Sequence, residues 1–305
     1  MAKSRVHDSR SRRGFIVVAA LWILAALAAL ASIYSIYVAN AATAVAVNDD
    51  TIRAEALVSS SLELTAYQVT AARPENRPSS GHFTFRMNGA DVSVNFCSEA
   101  ARVDLNKASK ALLAGLFGAL GAHPDDAEQY AERIIGWRSP ASPGGQDKEE
   151  SFYTAAGLNY GPRGAPFAHA GELALVLGLP PAMVERAMRY VTVYSGRAEV
   201  NIRDAAPEII AALPGMTPER LNSVLNERSS LTDKSSLALL GPAQTQATVD
   251  TSKAMRVTVR MRFDSGRSIA SEAVIFIDGR DEPYQVLSWQ NEADAQTQTN
   301  VGGRL

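Results

Sequence analysis

Between Arg13 and Asp49 no residue carries a charge, and a stretch of that length can be accommodated in few ways. Phe15 to Ala39 is mostly apolar and as a helix reaches roughly 37 Å at ~1.5 Å per residue, against ~30 Å of bilayer hydrocarbon. A membrane-spanning helix is therefore the first expectation. Lys3, Arg5, Arg10, Arg12 and Arg13 precede it, and the positive-inside rule keeps that basic head in the cytoplasm and sends everything after Asp49 outward. In a Gram-negative cell the bulk of the chain is then periplasmic. A secretory signal peptide competes, because Ala39-Asn40-Ala41 offers an A-x-A site, but its apolar core ordinarily spans only about 7–15 residues. An ordinary uncleaved anchor is the third reading.

The junction Arg12-Arg13-Gly14-Phe15-Ile16-Val17-Val18 separates these alternatives: a basic leader ends in glycine and phenylalanine opens the apolar helix. It resembles the class III leader of type IV pilins and pseudopilins. That resemblance implies cleavage after Gly14 by a prepilin peptidase and methylation of the new amino terminus at Phe15. Ala19 then stands fifth, where most of the family carries a glutamate thought to meet the amino terminus of a neighbouring subunit. A carboxylate inside the bilayer persists only when paired. A chain with Ala19 cannot form that pair, which suits a subunit capping a filament.

Beyond the membrane the helix is expected to continue as an amphipathic segment through Ile52, Leu57, Leu62 and Val69 and to stop near Arg73-Pro74. His82 to Met87 and Ala90 to Phe96 flank Asn88-Gly89, a two-residue hairpin signal. A third short strand is expected at Arg102 to Leu105. Periodicity of two then disappears until Met255 to Phe263, the turn Asp264-Ser265-Gly266-Arg267, Ile269 to Ile277, and Tyr284 to Trp289. A lone hairpin is marginal in water, so early and late strands are expected to share one sheet, with a helical insertion between them.

Inside that insertion Val103 to Gly118 echoes Val200 to Gly215 without a gap, with identical residues at Val103/Val200, Ala108/Ala205, Ala114/Ala211, Leu116/Leu213 and Gly118/Gly215. Each copy is an amphipathic helix running into glycine. The second continues through Met216-Thr217-Pro218 into Glu219 to Arg228, a helix-hairpin-helix pattern. Another helical unit flanks Gly178-Leu179-Pro180-Pro181.

With 46% apolar and 20% charged residues the chain is rich enough to fold, and its net charge of −2 gives no global field for nucleic acid. One cysteine, Cys97, excludes an intramolecular disulfide and reads as a small buried side chain. The four histidines form no H-E-x-x-H, and neither G-x-S-x-G nor a Walker A motif occurs, so no catalytic residues and no enzyme activity are expected.

Taken with the leader and the strand hairpin, Val103-Asp104-Leu105-Asn106, Ile134-Ile135-Gly136-Trp137-Arg138, Tyr160-Gly161-Pro162-Arg163-Gly164-Ala165-Pro166-Phe167, Glu172-Leu173, and Val200-Asn201 with Leu213-Pro214-Gly215-Met216 resemble the general secretion pathway protein K family of minor pseudopilins over nearly the whole chain. The resemblance implies an α+β fold: a pilin-like long N-terminal transmembrane helix packed on an antiparallel sheet, with a large α-helical insertion of helix-hairpin-helix, SAM-like type between strands. It divides the chain into a cytoplasmic prepilin leader (1–14), the N-terminal helix (15–73), the first part of the sheet (74–105), the insertion (106–248), and the remaining strands with the C-terminal tail (249–305). It also implies a single-pass inner-membrane protein at the pseudopilus tip. Its partners are then minor pseudopilins I and J, the major pseudopilin, the inner-membrane assembly platform, the prepilin peptidase and inner-membrane lipid.

Some members of the family bind calcium in the insertion, after the Trp-containing helix. Here that loop reads Trp137-Arg138-Ser139-Pro140-Ala141-Ser142-Pro143 and lacks the expected acidic positions, leaving Asp147, Glu149 and Glu150 as oxygen ligands. An acidic run in a Pro/Gly loop is ordinarily a solvated loop, so no cofactor is expected and calcium stays the one open alternative. The other functional readings are a minor pilin of a type IV pilus and a membrane-tethered DNA receptor. No nucleic acid is expected, because Arg220 near the second hairpin is offset by Glu208 and Glu219.

Overall fold

The computed structural model describes residues 10–73, 76–140, 148–228, 234–278 and 282–292. Helix α1 (Arg10–Ala71) opens the chain, and two compact units divide within it, between Leu57 and Val58. In the first unit the helix is continuous through the apolar window Phe15–Ala41, none of which is buried. Ser32 Oγ donates to the Ala28 carbonyl at 2.9 Å, so this hydroxyl is satisfied inside the helix.

The second unit begins with the last turns of α1. Val58, Leu62, Ala66 and Val69 recur every three to four residues and are buried as one stripe. The helix stops at Ala71, ahead of Pro74, whose ring disfavours helical backbone at the preceding residue. Strands β1 (Ser80–Met87) and β2 (Ala90–Ser98) follow. Asn88 (φ 51°) and Gly89 (φ 72°) both take left-handed backbone, as a type I′ Asn-Gly turn requires.

The chain then leaves the sheet. In order come β3 (Val103–Asp104), α2 (Lys110–Ala119), α3 (Pro124–Arg138), α4 (Lys148–Ala155), a 3-10 segment Ala170–Leu175, α5 (Pro181–Ala187), β4 (Val191–Thr192), β5 (Val200–Asn201), α6 (Pro207–Ala211), α7 (Pro218–Glu227), a kinked 3-10 segment Lys234–Gln246 and β6 (Ala247–Thr248). Strands β7 (Ala254–Phe263), β8 (Ser268–Phe276) and β9 (Gln285–Glu292) complete the sheet. Its order is β1-β2-β7-β8-β9, antiparallel throughout, so strands far apart in sequence are neighbours.

One face of the sheet is apolar. Val92, Val94 and Phe96 of β2 lie directly opposite Met261, Val259 and Val257 of β7, and all are buried. Gly81 on β1 makes room for this layer, since a Cβ there would lie 2.5 Å from the Phe96 ring.

The expected sheet strand at Arg102–Leu105 is corrected. Its ordered part, β3, pairs in parallel with β4 inside the insertion, so the first part of the sheet ends at Ser98 rather than at 105. Val103 and Leu105 are both buried in the helical core, and a two-residue strand is too short for alternation to reveal its partner. Likewise β6 pairs with β5, and the sheet resumes at Ala254 rather than at 249.

The sequence echo is a structural repeat. Asp104 Oδ1 accepts from Asn106 N at 2.8 Å, and Asn201 Oδ1 accepts from Arg203 N at 2.9 Å. Leu105 N donates to Thr192 O at 2.8 Å, and Ile202 N donates to Thr248 O at 3.1 Å. Thr192 Oγ1 accepts from Tyr194 N at 3.1 Å, and Thr248 Oγ1 accepts from Asp250 N at 3.0 Å. Each copy thus has a short strand, an Asx turn, helices, and a closing parallel strand ending in threonine. The copies meet at equivalent positions: a Cβ on Gly115 of α2 would fall 2.0 Å from the Ala212 carbonyl oxygen just after α6. That approach is open only to glycine.

Candidate functional site: the anchor helix and the seam of the insertion

Gly14 and Phe15 are consecutive residues inside α1, whose helix continues without a break from Arg10. Phe15 is 75% exposed, as are its apolar neighbours Ile16 to Val18 to a lesser degree. Ala19 lies four residues further, on the same side of the helix as Phe15. The sequence-expected processing and assembly positions therefore share one helical turn at the start of an unburied apolar segment. A face of this kind is suited to lipid or to another apolar helix.

A second site was not expected from the sequence. The insertion departs after Ser98 and returns at Ala254, and its two ends are stitched together. Ser98 Oγ accepts from Ala100 N at 3.3 Å and from Ser252 N at 2.8 Å. Ser252 Oγ accepts from Ala254 N at 3.1 Å and donates to Ser195 O at 2.9 Å. Asp104 Oδ2 accepts from Ser195 Oγ at 3.0 Å and Gly196 N at 2.8 Å, binding the start of the insertion to its middle.

Beside this seam lies Glu99, fully buried. It accepts from Arg256 Nε at 2.7 Å and Nη2 at 3.1 Å, and from the Thr192 hydroxyl. Arg256 also pairs with Glu272 of β8. Burial works against the Arg256 charge, but the carboxylates of Glu99 and Glu272 outweigh it and hold the guanidinium pKa above its ordinary value. Arg102, with Nε 3.9 Å from Glu99, is shifted down by burial and by the like charge of Arg256. A fork-to-carboxylate pair with further hydrogen bonds is the form in which charges withstand burial.

A cleft of about 200 Å³ opens next to the pair, with Cys97, Arg102, Arg189, Asp204 and Thr258 in its wall. Burial, followed by the Asp204 carboxylate, pushes the Cys97 thiol up to about 12. A thiol held protonated is a poor nucleophile.

Of the oxygen ligands left for calcium, Glu149 is already engaged. Glu149 Oε2 takes Arg133 Nη1 at 3.0 Å, and the same guanidinium lies 3.8 Å above the Phe152 ring. Asp147 lies outside the described residues. Among those described, no three His, Cys, Asp or Glu side chains gather as ligands, whereas calcium takes six to eight oxygens. In the second helical hairpin Gly215 (φ 72°) makes the turn and Thr217 Oγ1 caps α7 by accepting from Arg220 N at 3.3 Å. Arg220 Nη1 donates back to the Gly215 carbonyl at 3.1 Å.

Residues 92–196, from β2 through the first repeat of the insertion, match the family model for type II secretion system protein K. Over that third of its length the chain resembles the protein K family. The match supports the role of a minor pseudopilin, a structural component of the secretion system. The match ends where the first repeat ends, so the second repeat, β5 to β6, lies beyond it. The fold agrees with a chain in the crystal structure of the GspK-GspI-GspJ complex from the type 2 secretion system of enterotoxigenic Escherichia coli. That similarity has a TM-score of 0.56 at 17% identity and covers 81% of this chain and 98% of the other. No curated protein sequence matches the chain. Among the described residues one helix, at the amino-terminal end, is long and apolar enough to cross a membrane, which fits a single-pass inner-membrane member of the protein K family.

Proposed function

We propose that this minor pseudopilin stands at the tip of the type II secretion pseudopilus, where it initiates or caps assembly with minor pseudopilins I and J. Its amino terminus faces the cytoplasm and its sheet and insertion face the periplasm. The observation that carries the reading is residues 99–253, a body with its own core that rises from one end of the sheet between β2 and β7. A mass comparable to a domain crowds its neighbours inside a close-packed filament, and the tip is where there is room. Growth from the membrane below then pushes exported proteins toward the outer membrane, and this chain contributes contacts rather than chemistry. Ala19 agrees with an end position, because it offers no carboxylate to the amino terminus of a neighbouring subunit. Arg220 weighs against a DNA receptor, since it is turned back onto the hairpin carbonyl that it would have to leave to meet a phosphate.

The test begins with the amino-terminal sequence and intact mass of the membrane-extracted protein, with and without the prepilin peptidase. A methylated start at Phe15 that depends on the peptidase is expected; a start at Ala42, or retention of Met1, overturns the reading. Immunolabelling of overproduced pseudopili is then expected to mark one end of each filament. Label along the whole length removes the tip assignment.

A further inference from the structure

Where the insertion rejoins the sheet, separate stretches of chain enclose a pocket of about 70 Å³. Val69 comes from the last turns of α1, Arg77 from the loop after it, Thr251 and Lys253 from the exit of the insertion, Met255 from β7 and Ile277 from just past β8. Pro78 restricts the backbone of Arg77 to extended forms. The Ile277 N–H donates to the Lys253 carbonyl at 2.9 Å. Both cationic residues of the pocket therefore start from a constrained backbone.

Their charges are unmatched. Arg77 is half-buried, and its Nε–H is shielded from water without a hydrogen-bond partner. Among the described residues Arg77 makes no ion pair, and the Thr251 hydroxyl makes no hydrogen bond. Lys253 is exposed and has only the Phe276 ring, whose centroid lies 5.9 Å from its Nζ. No acidic residue lines the pocket, and Asp250 at the insertion's exit is paired with Arg197 at 3.6 Å. The Ser252 hydroxyl is spent on Ser195 O and Ala254 N.

A buried N–H ordinarily finds an acceptor, because drying it forfeits its bond to water. The negative end of the α1 dipole favours a cation near Ala71, but its influence fades within a turn and Nε bonds to none of its carbonyls. One water satisfies Nε and still leaves two positive charges sharing a pocket walled by Val69, Met255 and Ile277. We infer that the pocket binds a small free oxyanion of the phosphate or sulfate type. Its volume exceeds the share of one water, about 30 Å³, and suits an ion of a few heavy atoms. Arg77 Nε–H and the Nη–H beside it form a side-on fork for two oxygens of such an ion. Thr251 adds a donor and Lys253 a second charge. The bound ion ties the exit of the insertion to the end of α1.

The full-length chain, purified in a maltoside detergent without phosphate, provides the test. Inorganic phosphate is titrated in at constant ionic strength, with chloride as the balancing anion, and its phosphorus NMR line is followed. The unaltered chain is expected to broaden the line, Arg77→Gln to abolish the broadening, and Lys253→Gln to weaken the apparent affinity about threefold. Saturating phosphate is expected to raise the thermal midpoint of the unaltered chain by about 3 °C more than that of Arg77→Gln, which keeps any general salt effect. Cooperative melting in chloride shows that each variant is folded; Lys253 is exposed, so its variant carries the test if Arg77→Gln does not fold. No broadening by the unaltered chain, or equal affinity in both variants, overturns the site and leaves water as the partner of Nε. Sulfate is expected to displace phosphate and glycerol phosphate to do so weakly. Displacement by glycerol phosphate as strong as by sulfate overturns the free ion and assigns the pocket to a phosphate ester.

Discussion

At the scale of single residues, two glycines on α2 make a controlled comparison. A methyl group on Gly115 meets the Ala212 carbonyl oxygen, a backbone atom that cannot swing aside, whereas nothing lies within 4 Å of a Cβ on Gly118. Gly115→Ala is expected to cost about 3 kcal/mol by overpacking, and Gly118→Ala to stabilise by up to about 1 kcal/mol through helix propensity; urea denaturation of the two variants checks the difference. Cys97 gives a pH effect. Its folded pKa, raised by burial from 9.0 to about 12, means the folded state keeps a proton that the unfolded state releases. Stability is therefore unaffected below pH 9 and falls as pH rises from there through about 12. Alkaline unfolding midpoints of the unaltered chain and Cys97→Ala are expected to differ in that direction, and a thiol reagent at pH 8 is expected to react only after denaturation. The expected burial of the cysteine is only half met: alternation in β2 sets Cys97 on the face opposite Val94 and Phe96, where it is half-buried in the cleft wall. Glu99 was not, because nothing around Glu99-Ala100-Ala101 in sequence separates a buried carboxylate from a solvated one; its partner Arg256 lies on a strand that returns only after the whole insertion.

Among elements, those with a regular period or a diagnostic turn were readable, and the shortest were not. Strands β7 and β8 declare themselves by alternation and β1–β2 by Asn88-Gly89, while the echo of Val103–Gly118 in Val200–Gly215 anticipated a repeat. The closing strands β4 and β6 left no trace, because two residues have no period and their partners lie across whole helical hairpins. The leader junction was legible only as a motif, since a continuous helix through Gly14 and Phe15 adds no geometry that singles them out. The seam yields the prediction proper to this scale. Glu99→Ala leaves Arg256 and Arg102 close together without their shared carboxylate, and removal of one partner of a buried pair costs about 3–5 kcal/mol. The expected signature is local as well as global: limited proteolysis is expected to cut sooner near residues 99–106 and 249–253, with the helical core of the insertion released as a resistant fragment.

For the whole molecule, the insertion is bounded by residues that already touch. Ser98 and Met255 are opposite one another in the β2–β7 ladder, which runs on to Ala90 and Phe263. Replacing residues 99–254 with an Asn-Gly turn, together with Arg256→Thr to remove the stranded charge, is expected to leave a folded helix-and-sheet core with cooperative thermal unfolding. Circular dichroism is expected to show a fall in helix content with the sheet signal retained; a molten core instead indicates that the sheet depends on the insertion for its folding. The same arrangement governs how force travels. Load applied along the sheet passes from β2 to β7 through their own hydrogen bonds, and the long excursion between them hangs beside that route like a pannier rather than forming a link in it. Its contents can grow, shrink or loosen without slackening the strands that carry the strain.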